Sequence, residues 1–269
     1  MLKIELLDPA DPDRAAATFH RDGFVALRDV LSPQQLSAIQ ASYQEVIELE
    51  LQPDPERMGD RGHHRYSASG RDNQPEWSVL MDLPTVLPTL DAIWMPESRW
   101  HKAESGGADY VCRGTGGDYS LPGAEIQELH SDGLLEITDP HGHTSIRDTP
   151  TPQITVNIAM IDFTVENGAT RVIPFSQRSR AAIPTLEEEP EWMKECTVCV
   201  LAGTAILRDI RTWHAGTANN SNDIRPMTGV AYLAPWFRYR SDSKSLTRET
   251  YESLTPRGRE VCRYLVQDS

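Results

Sequence analysis

Glu128-Leu129-His130-Ser131-Asp132 puts an imidazole and a carboxylate two residues apart. In an extended segment residues i and i+2 point to the same face, so both side chains could reach one metal ion. A third ligand has to come from elsewhere, and His214 in Arg211-Thr212-Trp213-His214-Ala215-Gly216 is the candidate. Two histidines and one carboxylate on one face of Fe(II) leave open positions for a co-substrate and O2. His-x-Asp alone arises by chance, and either histidine could be a core residue with satisfied nitrogens. The surroundings of both motifs have to decide.

Arg225 follows His214 by eleven residues, at the start of the segment leading through Met227–Ala234. A guanidinium near the metal can grip a carboxylate with two parallel hydrogen bonds, which a Lys cannot reproduce. The co-substrate 2-oxoglutarate needs such a group, because its keto-acid end chelates iron and its other end is a free carboxylate. The competing reading of Arg225 is a surface residue beside Pro226.

Other polar clusters are weaker. Ile154, Val156 and Ile158 alternate with Gln153, Thr155 and Asn157; the polar half faces either solvent or a wet central cavity, which makes Asn157 a candidate site residue. His63-His64-Arg65-Tyr66 is either an exposed loop tip or a substrate contact. Arg113 and Arg147 could recognise an acidic or polar group. His141-Gly142-His143 reads as a mobile loop near the cavity mouth, since no further ligand completes a second metal site. Cys196 and Cys199 have no second pair and read as structural. Trp236, Phe237 and Tyr239 could wall a pocket or cap the core.

These residues need a scaffold. Asp11-Pro12-Asp13 opens a helix over Arg14–His20 that ends at Gly23, and a short strand follows to Leu27. Ser32-Pro33-Gln34-Gln35 is a capping box opening a helix to about Leu49. Residues 52–76 read as a long polar functional loop, and 83–94 as a helix bent at Pro88. From Arg99 short apolar runs divided by Gly, Pro and Asp predict strands over 110–113, 124–130, 154–163, 170–174, 197–201, 205–209, 212–216 and 227–234. Gly114-Thr115-Gly116-Gly117 lacks the ending of a phosphate loop. Glu187-Glu188-Glu189 reads as the solvated start of a short helix, and Thr255-Pro256 caps a last helix ending near Leu265. The pattern is mainly β with flanking α-helices: a double-stranded β-helix, a jelly roll of the cupin type. We read 1–269 as a single domain, with N-terminal helices over about 11–95, a jelly-roll core over about 99–237 and a C-terminal helical tail.

The totals exclude several classes of function. A formal charge of −14 over 269 residues argues against nucleic acid or an anionic membrane as partner. There is no run of eighteen apolar residues and no signal-like leader, and four cysteines make no disulfide framework, so a cytoplasmic protein is expected.

Four motifs in order resemble the phytanoyl-CoA dioxygenase family: Gly23-Phe24-Val25; Gln127-x-x-His130-x-Asp132; Asn167-Gly168-Ala169-Thr170-Arg171-Val172-Ile173-Pro174-Phe175-Ser176; and Trp213-His214-x-Gly216 with Arg225. The resemblance runs from about residue 15 to 237. It implies His130, Asp132 and His214 as Fe(II) ligands, Arg225 as anchor for 2-oxoglutarate, and Gln127 and Thr170 near that co-substrate. If 124–130 is a regular strand, Gln127 faces away from His130, so a twist or bulge is required. Phe175-Ser176-Gln177 departs from the family's usual Gly-Ser-His, which touches a loop more than the metal. Relatives that halogenate carry a small residue where this chain has Asp132, so halogenation is not expected. The implied reaction converts O2 and 2-oxoglutarate to succinate and CO2 while oxidising a C–H bond of a small organic molecule, by hydroxylation, desaturation, cyclisation or epimerisation. A natural-product intermediate suits the chain better than an acyl-CoA. The main alternative is a metal-dependent cupin isomerase or epimerase that does not use O2, which gives no reason for Arg225. A binding module that retains only the fold would not need all three ligands. The sequence is silent on oligomeric state.

Overall fold

The computed structural model describes residues 4–94, 110–132, 139–237 and 244–268. The chain opens with β1 (Leu6–Leu7), α1 (Pro12–Asp22), β2 (Phe24–Leu27), α2 (Pro33–Leu51), β3 (Arg65–Ser69), α3 (Pro75–Ser78) and α4 (Leu87–Trp94). It continues with β4 (Val111–Ser120), β5 (Gln153–Ala159), β6 (Arg171–Val172), α5 (Glu191–Lys194), β7 (Ala205–Asp209), β8 (His214–Ala215), β9 (Arg225–Leu233), α6 (Arg248–Ser253) and α7 (Pro256–Val261).

Local chemistry fixes the first helices. Asp11 caps α1 through the amide of Arg14 at 3.2 Å, and Gly23 ends it at a positive φ of 84°. Ser32 and Gln35 exchange the two bonds of a capping box at the start of α2. Pro88 falls in the first turn of α4, where its missing N–H has no helical acceptor to lose, so it starts that helix rather than bending it.

Seven strands form one mixed sheet in the order β1-β2-β7-β5-β9-β4-β3, and β6 pairs with β8 in a small second sheet. The alternation along β5 sorts the two faces of the large sheet. Ile154, Val156 and Ile158 pack with α1, α2 and α4 in the main core. Phe24, Ile206 and Met227 pack with Val172 and Val200 between the sheets. Two sheets closing on each other give the expected double-stranded β-helix, and the polar half of β5 is turned into its interior.

Several expectations need correction. Residues 52–76 are not structureless: Arg65–Ser69 pairs along its length with Ser120–Gly116 of β4. The strand expected over 110–113 runs on to Ser120 straight through the glycines. Those glycines are a packing requirement: a Cβ on Gly117 would sit 2.2 Å from the carbonyl oxygen of Met227 and 2.7 Å from the Tyr43 hydroxyl. Gly117→Ala should therefore lower stability by roughly 1–3 kcal/mol, seen as a lower thermal midpoint; an unchanged midpoint would refute this account of the glycine run. Residues 124–130 form no regular strand, and 197–201 contribute only isolated bridges at Thr197 and Val200. The last helix ends at Val261 rather than near Leu265. Glu189 is buried against Arg171 rather than solvated, and the short helix begins two residues later. Tyr239 lies outside the described residues. Among those described, no helix is long and apolar enough to cross a membrane.

Candidate metal centre

His130 and His214 face each other across an antiparallel bridge, with each backbone N–H donating to the other's carbonyl at 3.0 and 2.9 Å. This hydrogen-bonded pairing puts both imidazoles on one side, with ring centroids 4.3 Å apart. Asp132, two residues on, is held by its N–H to the carbonyl of Ile210 at 2.8 Å. One ligand atom from each of the three lies within 4.8 Å of the others. His130 and Asp132 come from one stretch of chain and His214 from another, and the pairing of those two stretches is what joins them.

The rings are oriented from behind. His130 Nδ1 stands 3.2 Å from the carbonyl of Glu128, and His214 Nδ1 stands 3.0 Å from that of Thr212. A metal held through Nε2 requires Nδ1 to carry the hydrogen, and both carbonyls are placed to accept it. Burial, with the positive charge of Arg208 beside it, lowers His214 to about 4, so the ring is neutral at pH 7 and its lone pair is available.

Sequence reasoning missed Arg208. Its Nη2 donates to Asp132 Oδ2 at 2.7 Å, and Nη1 lies 3.1 Å from His214 Nδ1. Burial works to raise the Asp132 carboxyl, but the Arg208 guanidinium outweighs it and holds the group ionised, far below the usual carboxylate range. The available signal was a charged pair, Arg208-Asp209, set between the apolar run Ala205-Ile206-Leu207 and Ile210. Arg208→Met should weaken binding of a divalent ion at this cluster by roughly 10–100-fold, the usual effect of losing a group that orients a ligand. A metal titration with unchanged affinity would remove Arg208 from the site.

The cluster opens on a cavity of ≈ 360 Å³. Gln127, Asn157, Thr170 and Arg225 all reach its wall, as do Arg65, Tyr66 and Arg113. Arg225 is buried, donating to Ser120 Oγ at 3.3 Å and to Asp118 Oδ1 at 3.4 Å, with its guanidinium carbon 5.1 Å from the centre of the Phe163 ring. Gln127 turns inward because residues 124–129 are irregular, so no strand bulge is required. Its Oε1 accepts from the Gly216 amide at 3.0 Å and its Nε2 donates to the Arg61 carbonyl at 3.1 Å. Asn157 Nδ2 donates to the Thr228 carbonyl at 3.3 Å.

Other candidates lie apart. Arg147 holds the carbonyls of Ser176, Gln177 and Arg211 instead of facing the cavity. His141 and His143 are exposed, in a turn organised by Asp139. His63 stacks on His64 with centroids 4.0 Å apart, so only Arg65 and Tyr66 of that patch reach the cavity. Cys196 and Cys199 are free thiols. Gln177 fills the departure from the family pattern by donating to the carbonyls of His20 and Arg21, which fastens a loop. Trp236 is exposed.

Comparison with known proteins agrees with this geometry. The dioxygenase trt7 of Aspergillus terreus is 24% identical over 259 residues, covering 91% of this chain and 81% of that protein. The solved structure of SnoN, a non-heme alpha-ketoglutarate-dependent epimerase from nogalamycin biosynthesis, superposes with a TM-score of 0.60 at 19% identity over 84% of each chain. SnoK, a carbocyclase from the same biosynthesis, does so with a TM-score of 0.58 at 20% identity, over 86% of this chain and 87% of its own. Residues 19–227 match the phytanoyl-CoA dioxygenase (PhyH) family, which takes in both halves of the cluster and Arg225. The chain belongs to the phytanoyl-CoA dioxygenase family and is an oxidoreductase of the dioxygenase kind.

Proposed function

We propose that this protein is an Fe(II)- and 2-oxoglutarate-dependent oxygenase, with His130, Asp132 and His214 as iron ligands and Arg225 as the anchor of the co-substrate's distal carboxylate. The observation that carries the reading is the convergence of a two-imidazole, one-carboxylate cluster and a buried guanidinium on one cavity. The donor set suits iron, because neutral imidazoles and a carboxylate leave positions open for further ligands. When bound, iron and 2-oxoglutarate supply the oxidation, with O2 reduced and the co-substrate leaving as succinate and CO2.

The chain's own part is placement. Arg225, held in place by Asp118 and Ser120, would fix the charged end of the co-substrate, and Gln127, Thr170 and Asn157 offer further polar groups on the cavity wall. Tyr66, Tyr119 and Met227 line the same cavity. A volume of ≈ 360 Å³ suits a small organic molecule. The roles of SnoN and SnoK in nogalamycin biosynthesis favour a natural-product intermediate as its class. Since one of these two is an epimerase and the other a carbocyclase, the fate of the oxidised carbon is left to substrate placement.

The purified apoprotein should convert 2-oxoglutarate to succinate only when both Fe(II) and O2 are supplied. Turnover of a substrate that persists without O2 or 2-oxoglutarate would select the isomerase reading instead.

A further inference from the structure

The large sheet carries a second buried arginine in line with the first. Arg65 on β3 pairs with Ser120 on β4, and Ser120 pairs with Arg225 on β9. Residues opposed across neighbouring strands point to the same face. The two guanidiniums therefore rise from one face, two strand spacings or roughly 10 Å apart at the backbone, with only a serine between them. Arg65 is 5% exposed and Arg225 is 2% exposed, and both reach the cavity wall.

Their partners differ from what two buried cations require. Arg65 donates from Nε and Nη2 to the carbonyl of Glu125, at 3.3 and 2.8 Å, and from Nη2 to the carbonyl of Thr217. It meets no carboxylate among the described residues, and its Nη1 enters none of their hydrogen bonds. That nitrogen lies beside Gly216, where a Cβ would stand 2.4 Å from it and 2.8 Å from Gln127 Oε1. Gly216 is two residues from His214, so this head reaches toward the metal cluster. Arg225 offers Nη1 to nothing better than the Met227 sulfur at 3.9 Å. Asp118 is the one acid that acts on both, and it leaves one positive charge over. Burial, then the charge of Arg225, lowers Arg65 to about 10, against the pull of Asp118.

We propose that Arg65 is the second arm of a two-arginine clamp, which with Arg225 grips the distal carboxylate of 2-oxoglutarate and neutralises the excess charge. The assignment rests on the co-substrate reading above. It explains why a buried guanidinium is held open by carbonyls rather than satisfied by an acid. It also makes Arg65 a determinant of dicarboxylate selectivity, because a keto acid without the second carboxylate has nothing to offer the pair.

The test is calorimetric binding of two keto acids to the Mn(II)-loaded protein without O2: 2-oxoglutarate, and 2-oxopentanoate, which has the same chelating end and no distal carboxylate. Arg65→Met should weaken 2-oxoglutarate by roughly 10–100-fold, in keeping with a lost charged hydrogen bond. It should leave 2-oxopentanoate within about twofold, so the preference between the two collapses. Arg65→Gln keeps an N–H for the Glu125 carbonyl and should show the same collapse, which covers the case in which the Met variant does not fold. Equal weakening of both ligands, or unchanged 2-oxoglutarate binding, would overturn the clamp while leaving the oxygenase reading intact. Wild-type protein that holds Mn(II) and binds neither acid would overturn both.

Discussion

Asp132→Ala is expected to leave the protein folded, without bound iron after aerobic purification and without succinate formation. The carboxylate is the only anionic member of the cluster, and His130 and His214 alone offer two neutral nitrogens. The same change also strands Arg208. Its Nη2 loses the oxygen it holds at 2.7 Å, while its side chain is 6% exposed and cannot turn to water. A positive charge would then stand unmasked beside a site meant for a cation. The loss of metal affinity should exceed the roughly 10–100-fold expected when only an orienting group is removed. The comparison with Arg208→Met separates the two contributions. Metal content by elemental analysis, with circular dichroism as the control for folding, measures the effect. Unchanged metal affinity in a folded Asp132→Ala protein would remove Asp132 from the metal site.

The parts of this molecule that were legible in its sequence are those decided within a few residues. The cap at Asp11, the stop at Gly23 and the capping box at Ser32 depend on neighbours no more than four positions away, and each stands where its residues placed it. The alternation along residues 153–159 was equally readable, although only the closure of the second sheet decides that Gln153, Thr155 and Asn157 face a cavity. Periodicity could not reveal β4, because glycines chosen for close approach to Met227 and Tyr43 carry no hydrophobic pattern. For the opposite reason residues 124–129 looked like a strand: apolar residues are interspersed with polar ones there, but their backbone bonds go to scattered partners such as Gly216 and Asn219. Arg65 and Arg208 show a third limit. Each lies in a strand where a charged residue reads as a surface position, and its role depends on cross-strand register with residues more than fifty positions away.

Glu189 is the sharpest case of charge misread as solvation, and it carries the largest expected effect on stability. Its carboxylate forms a bidentate pair with Arg171, and both side chains are fully buried. Arg171 Nη2 also donates to the backbone carbonyl of Gln127 at 2.6 Å. The pair thus ties the 185–189 turn to the segment that leads into His130. Arg171→Met should destabilise the protein by roughly 3–5 kcal/mol, because it leaves a buried carboxylate with no countercharge. For a chain of this size that corresponds to a fall in thermal midpoint of roughly 6–20 °C. Replacing both partners, as Arg171→Met with Glu189→Leu, should recover much of that loss, since two apolar groups leave no buried charge behind. Activity should not recover in parallel. The double variant still lacks the donor to the Gln127 carbonyl, so Gln127 and the backbone before His130 lose their fixed position even where the fold is restored. A double variant with stability and turnover both regained would show that Arg171 serves the core alone. Recovery of the midpoint with 2-oxoglutarate turnover still depressed would place the buried pair in the chain of contacts that aims the metal cluster.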